Sequence, residues 1–163
     1  MEFKPKSGSY SFLGITGDPA EDARNTVNPG YSVSSWGYYQ DAGTVANNNS
    51  ASSYGDSYNS SGDIIGVALN IDDNELKFYK NGTVQNSGTA ISITAVASVP
   101  AGAYFFVMGD AASDSSSKAI ANFGNPDYAN TSSQSDANGY GDFEHAPPSG
   151  FYSLCTKNLA KYG

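Results

Sequence analysis

Residues 62–82 read GDIIGVALNIDDNELKFYKNG, two apolar runs flanking the acidic stretch Asp72-Asp73-Asn74-Glu75, with Asn81-Gly82 closing the second run. Alternate residues of a strand point to opposite faces, so Ile65, Val67, Leu69 and Ile71 share a side, and Leu76 and Phe78 of the return strand can meet them there. The Asp-Asp-Asn side chains suit a turn that bonds its own backbone. Asn-Gly suits the two positive-φ positions of a type I′ hairpin. On the other face Ile64, Gly66 and Ala68 are small or apolar, which calls for a second layer close by, while Glu75, Lys77 and Tyr79 read as facing solvent. The hairpin predicts a two-layer core.

The rest of the chain extends the same pattern. No window of a dozen residues carries apolar side chains at helical spacing with convincing caps, whereas short alternating runs recur. Strands are predicted over residues 9–16, 33–40, 64–71, 75–80, 90–96, 103–109 and 118–123, with a final extended piece over 150–156. That spacing reads as an all-β antiparallel sandwich. A chain of 163 residues is the size of one domain.

Composition narrows the partners. Eight Lys and Arg against sixteen Asp and Glu leave a net charge of −8, which repels phosphate backbones and anionic headgroups, so nucleic acid and membrane surfaces are poor partners. No run reaches the roughly 18 apolar residues that span a bilayer. With a single cysteine, Cys155, no intrachain disulfide can form, and the expected role of that side chain is a small buried hydrophobe. One histidine rules out the familiar zinc ligand sets.

Catalytic motifs are equally scarce. His145 lies in Glu144-His145-Ala146-Pro147-Pro148, a loop context without a G-x-S-x-G serine to serve, and it reads as a surface histidine. Carboxylates that could pair for glycoside hydrolysis sit at Asp18, Glu21, Asp22, Asp63, Asp72, Asp73 and Glu75, yet acids at β-turns ordinarily bond backbone. No cofactor is called for. Calcium is the ion that GDPAED (17–22) and NIDDNE (70–75) would suit, because hard cations need oxygen ligands, although neither stretch has the D-x-D-x-D-G spacing of a dedicated loop.

Two long polar segments stand apart: residues 41–62 and residues 125–142, rich in Asn, Ser, Gly and Tyr. Connections of that length are functional or mobile more often than short ones. Their vocabulary, rigid amphipathic rings among adaptable polar side chains, is also that of antibody paratopes. The candidate ligand-binding residues are therefore the loop aromatics Tyr31, Tyr38, Tyr39, Tyr54, Tyr58 and Tyr140. Trp36 alternates with its strand and is expected in the core, and the same alternation leaves core as the alternative for one of Tyr38 and Tyr39.

The opening hairpin resembles the central hairpin of the SPRY domain family: Gly-Asp, two apolar residues, Gly, an acidic turn, then Phe-Tyr-Lys-Asn-Gly. SYSFLGITGD (9–18), SSWGYYQDAG (34–43), YFFVMGD (104–110) and KAIANFGN (118–125) resemble other SPRY strands, in the same order. APPSGFYSLCTKNL (146–159) is similar, more narrowly, to SPRY-like modules of bacteriophage structural proteins. The likeness runs from about Phe3 to Leu159.

The resemblance implies a bent antiparallel β-sandwich of concanavalin-like jelly-roll type that binds through loops and has no catalytic apparatus. Within it Gly66, Asn81-Gly82 and Asn122-Phe123-Gly124 are scaffold residues. It implies a virion tail, fibre or capsid-surface protein, exposed on the particle, that engages another virion protein or a host-surface glycan. The alternatives are a cytoplasmic SPRY adaptor that recognises a peptide, or a carbohydrate-binding appendage of a glycan hydrolase. Met1-Glu2-Phe3 resembles the tail of the family's opening strand, so the sequence is expected to be part of a longer polypeptide whose N-terminal strands lie elsewhere. The edge thus left open would favour strand exchange or a homo-oligomer.

Overall fold

A computed structural model describes residues 1–22, 28–60, 62–111 and 116–162, except the side chains of Asp22 and Tyr162. Two antiparallel sheets face each other. One has the order β11-β1-β6-β7-β8, with β9 also on β7; the other has the order β10-β2-β3-β4-β5. In the first sheet are β1 (Glu2–Ser7), β6 (Ile65–Asn70), β7 (Glu75–Lys80), β8 (Thr83–Val84), β9 (Ile91–Ser92) and β11 (Lys118–Asn122). The second holds β2 (Ser11–Thr16), β3 (Ser35–Tyr39), β4 (Thr44–Asn47), β5 (Ser50–Ser53) and β10 (Phe105–Asp110). The all-β sandwich read from the sequence is the fold observed.

The opening hairpin forms in the expected register, Val67 opposite Phe78 and Leu69 opposite Leu76. Ile65, Val67, Leu76 and Phe78 are buried, and with Phe3 they meet Leu13, Ile15, Trp36, Tyr38 and Val45 of the other sheet in one core. The turn between β6 and β7 is held by Asn70, whose Oδ1 accepts from the N–H groups of Asp72 and Asp73 at 3.1 and 3.2 Å. Asn81 and Gly82 take φ of 49° and 77°, as a type I′ turn requires. Ile71 departs from the expected inward row: it lies past the end of β6 in the turn and is exposed. Glu75, Lys77 and Tyr79 are half-buried rather than solvent-facing.

Several elements differ from the sequence reading. The 90–96 run pairs with β7 only through Ile91 and Ser92. The extended piece after Gly150 gives way to a helix, α2 (Thr156–Tyr162). Near the start, α1 (Pro19–Asp22) is one turn capped by Asp18, whose Oδ1 accepts from the Glu21 N–H at 3.2 Å. Residues 41–62 are no mere loop. They contain the hairpin of β4 and β5, turned at Asn48 and Asn49 with φ of 50° and 55°.

Residues 125–142 are likewise anchored. Gln134 pairs with the buried Phe143. Asp136 is buried and accepts from the Ser153 N–H and hydroxyl, from Asn158 Nδ2 and from the Tyr140 N–H, at 2.7 to 3.0 Å. Burial opposes this charge, but the hydrogen bonds outweigh it and hold the carboxyl at about 2. Asp136 thereby ties α2 and its leading segment to this loop.

Candidate functional site

Three of the six candidate tyrosines lie in the core, which corrects the expectation of exposed loop rings for Tyr54 and Tyr58 and gives Tyr38 the core position that its strand alternation allowed. Tyr38, Tyr54 and Tyr58 are core side chains, exposed by only 0, 8 and 4%. Their rings close on Phe78: Tyr38 lies 5.2 Å from both Tyr58 and Phe78, and Tyr54 meets Phe78 edge-on at 5.7 Å. Polar tips of buried rings need partners, and each has one. The Tyr58 hydroxyl donates within reach of the carbonyls of Ser11 and Tyr38 at 3.1 and 2.9 Å, and the Tyr54 hydroxyl accepts from the Phe78 N–H at 3.1 Å. Tyr38 donates to the Asp56 carbonyl. Burial pushes all three phenols up, so they stay protonated. Trp36 is buried, as its strand alternation predicts.

The other three lie outside the core. Tyr31 is 39% exposed, and Tyr39 is half-buried on the outer face of the β2–β5 sheet, where its ring stacks on Phe12 at 4.5 Å and 20°. Tyr10, 46% exposed, lies at the same end of β2. The Tyr39 phenol is pushed up by burial first and then by the negative charge of Asp41, so it too remains a donor at neutral pH. Tyr140 belongs elsewhere: it sits in the Asp136 loop, with Lys157 Nζ 5.0 Å from its ring centre.

Beside the Phe12–Tyr39 stack lies a cleft of about 350 Å³, bounded by Phe12, Pro29, Tyr31, Asn49 and Ser50 among others. Its construction follows from small residues. Gly37 and Gly109 carry no side chain, so Pro29 can lie across the sheet; a Cβ on Gly37 would come within 2.3 Å of the Pro29 carbonyl oxygen, and one on Gly109 within 2.3 Å of Pro29 Cδ. The β4–β5 turn then pins the 29–35 segment. The N–H groups of Asn48 and Asn49 donate to the carbonyls of Ser32 and Gly30, and Asn47 Nδ2 donates to those of Val33 and Ser35 at 3.0 and 2.8 Å. The resulting surface is rigid, partly aromatic and rimmed by amides and hydroxyls, and neither acid nor base stands among its lining residues.

Phe12, Tyr10, Asn49 and Ser50 were not among the sequence candidates. For Tyr10 and Phe12 the signal was alternation: Ser11, Leu13 and Ile15 face inward, so Tyr10 and Phe12 must face out.

Three of the carboxylates named as catalytic or calcium-binding candidates bond nearby groups. Asp18 caps α1, Asp73 accepts from Asn70 Nδ2, and Asp63 accepts from Asn81 Nδ2 and the Asn59 N–H. The Asp22 side chain lies outside the described residues. Among the described residues no three His, Cys, Asp or Glu side chains stand together as a metal site. The backbone N–H of His145 donates to Glu2 Oε1 at 2.8 Å. Cys155 is half-buried rather than buried. Backbone N–H groups at the start of α2, Asn158 first, together with the Ser153 hydroxyl, hold its thiol below the usual range.

A second concavity, about 410 Å³ and mainly apolar, lies between β6, the stretch around Tyr104 and the segment 145–154. None of the six candidate tyrosines lines it. No helix among the described residues is long and apolar enough to cross a membrane.

Comparison with known proteins places this architecture. No curated protein matches the chain. Among solved structures, a crystal structure of a human SPRY domain is 19% identical, covering 72% of this chain and 74% of that one with a TM-score of 0.49. The sequence pattern of the SPRY domain matches residues 3–117, well over half of the chain. SPRY domains are generally binding modules that mediate protein–protein interactions, and the chain belongs to the SPRY domain family.

Proposed function

We propose that the chain is a non-enzymatic recognition module of a bacteriophage virion, carried on a tail, fibre or capsid surface, which binds a host-surface glycan on the outer face of its β2–β5 sheet. The observation that carries the reading is the Phe12–Tyr39 stack beside the cleft bounded by Tyr31, Asn49 and Ser50. Sugars present apolar faces edged with hydroxyls, and this surface offers flat rings edged with amide and hydroxyl groups. Rings with few torsions give contact area at low entropic cost, and the anchored 29–35 segment is organised before a ligand arrives. The viral setting is supported by the likeness of residues 146–159 to phage structural modules.

The test is a glycan array of bacterial surface polysaccharides probed with the purified chain, Tyr31→Ala and Tyr39→Ala. Specific signal with the parent chain that falls about tenfold or more in both variants, at unchanged Tm, supports the site; loss of one well-packed ring contact is worth about 1.4 kcal/mol or more. Absence of glycan binding, or binding indifferent to both substitutions, rejects it. Capture of a peptide in place of glycan would move the reading to the cytoplasmic adaptor.

A further inference from the structure

Charge is unevenly placed on this sandwich. The described cations all lie on the first sheet or on α2: Lys4, Lys6, Lys77, Lys80 and Lys118 on β1, β7 and β11, Lys157 and Lys161 on the helix. The remaining cation of the sequence, Arg24, is outside the described residues. Every strand of the β2–β5 sheet, β10 included, is without Lys or Arg. The sequence from residue 25 to residue 76, which holds β3, β4, β5 and most of the cleft wall, has neither.

Acids, by contrast, stand beside the stacked rings. Asp41 follows Tyr39 by two residues and is exposed; after burial, its charge is the largest cause that raises the Tyr39 phenol, and Asp110 at the end of β10 acts in the same sense. With a net charge of −8 on the chain, the long-range field has the same sign. The polar side chains that line the cleft are those of Asn28, Asn49, Ser50 and Tyr31. Amides and hydroxyls exchange hydrogen bonds with sugar hydroxyls, but none of these groups is a cation that could pair with an anion. A uronate or phosphate brought onto the rings would give up water without gaining a counter-charge, and would do so against like charge.

We infer that the outer face selects uncharged glycans and excludes acidic ones, with Asp41 as a residue that sets the exclusion. The inference rests on the glycan reading above and narrows its substrate class to polysaccharides free of carboxylate and phosphate substituents. Asp41 acts at the rim of the ring stack by repulsion, so its charge governs the preference between neutral and acidic sugars. Because the repulsion crosses solvent, it weakens as salt is added.

The test prints acidic bacterial polysaccharides beside their carboxyl-reduced forms, in which each uronate has become the neutral sugar on the same backbone. In every pair that gives a signal, the reduced form is expected to bind about tenfold or more better than its acidic parent at about 10 mM salt. That ratio is expected to shrink at about 1 M salt, where the Debye length is only about 3 Å. Asp41→Asn, at unchanged Tm, is expected to shrink the low-salt ratio about threefold, and Asp41→Glu, which keeps the charge, to preserve it. An acidic parent bound as well as its reduced form overturns the exclusion. A ratio unmoved by Asp41→Asn overturns the role of Asp41. Signal on neutral forms that survives both Tyr31→Ala and Tyr39→Ala, or no glycan signal at all, rejects the outer-face glycan reading itself and this inference with it.

Discussion

At the residue scale, the division of labour among tyrosines is decided by which face of a strand each ring occupies and whether its hydroxyl finds a buried acceptor or donor. Tyr58 is locked by two carbonyls, so Tyr58→Phe, which keeps the ring, is expected to cost about 1 kcal/mol in chemical denaturation. Phe78→Ala, in the middle of the aromatic cluster, is expected to cost about 3–5 kcal/mol. Tyr31→Ala removes an exposed ring and should leave the midpoint within about 0.5 kcal/mol of the parent. The ordering of these three is the check: a Tyr31 variant as damaged as the Phe78 variant would mean that the outer rings hold the fold. Tyr54 and Tyr58 misled the sequence reading because Ser, Gly and Asn surround them. Composition marks a segment as polar without saying that two of its rings return to the core.

At the element scale, the hairpin of residues 62–82 was legible because three signals agreed in it: alternation, an acidic turn and Asn-Gly. The β4–β5 hairpin offered only one, the Asn48-Asn49 pair between short runs, and β5 is Ser-Ala-Ser-Ser, with no apolar row to betray a strand. Helix α2 was hidden for a related reason: at seven residues it is too short to show a period and depends on Asp136 and Asn158 for anchorage.

That anchorage makes the C-terminal element sensitive to acid. The Asp136 carboxyl has a folded value of about 2, below its ordinary 3.8, so the folded state binds its proton less readily than the unfolded state. Its contribution is complete above about pH 4 and is lost as pH falls toward 2. Asp136→Ala is expected to cost about 3 kcal/mol at neutral pH, by leaving the Ser153 and Asn158 donors buried without their acceptor, and to flatten the stability profile between pH 4 and 2. Denaturant midpoints across that range check both; an Asp136→Ala profile as steep as the parent's would assign the acid sensitivity to other carboxylates.

For the whole molecule, the sandwich supplies a rigid sheet whose outer face is shaped by what its residues lack. Gly37 and Gly109 let Pro29 rest on the sheet, and the β4–β5 turn fixes the segment that follows. Gly37→Ala, whose added carbon meets backbone, is expected to cost about 1–3 kcal/mol and to weaken ligand binding beyond the loss of fold, because the cleft wall must move. The general layout was readable from strand alternation. The cleft was not, because it joins residues 12, 31 and 49, which come together only through the order β2-β3-β4-β5.

The central claim is that recognition occurs on exposed rings of the outer face while the inner tyrosines only support it. Hydroxyl-radical footprinting of the tyrosines by mass spectrometry, with and without the glycan identified on the array, tests it most directly. The account predicts that Tyr10 and Tyr31 are labelled in the free chain, that Tyr31 loses its label on binding, and that Tyr38, Tyr54 and Tyr58 stay unlabelled throughout. Labelling of Tyr54 or Tyr58 in the native chain, or a Tyr31 label unchanged by saturating ligand, would contradict it.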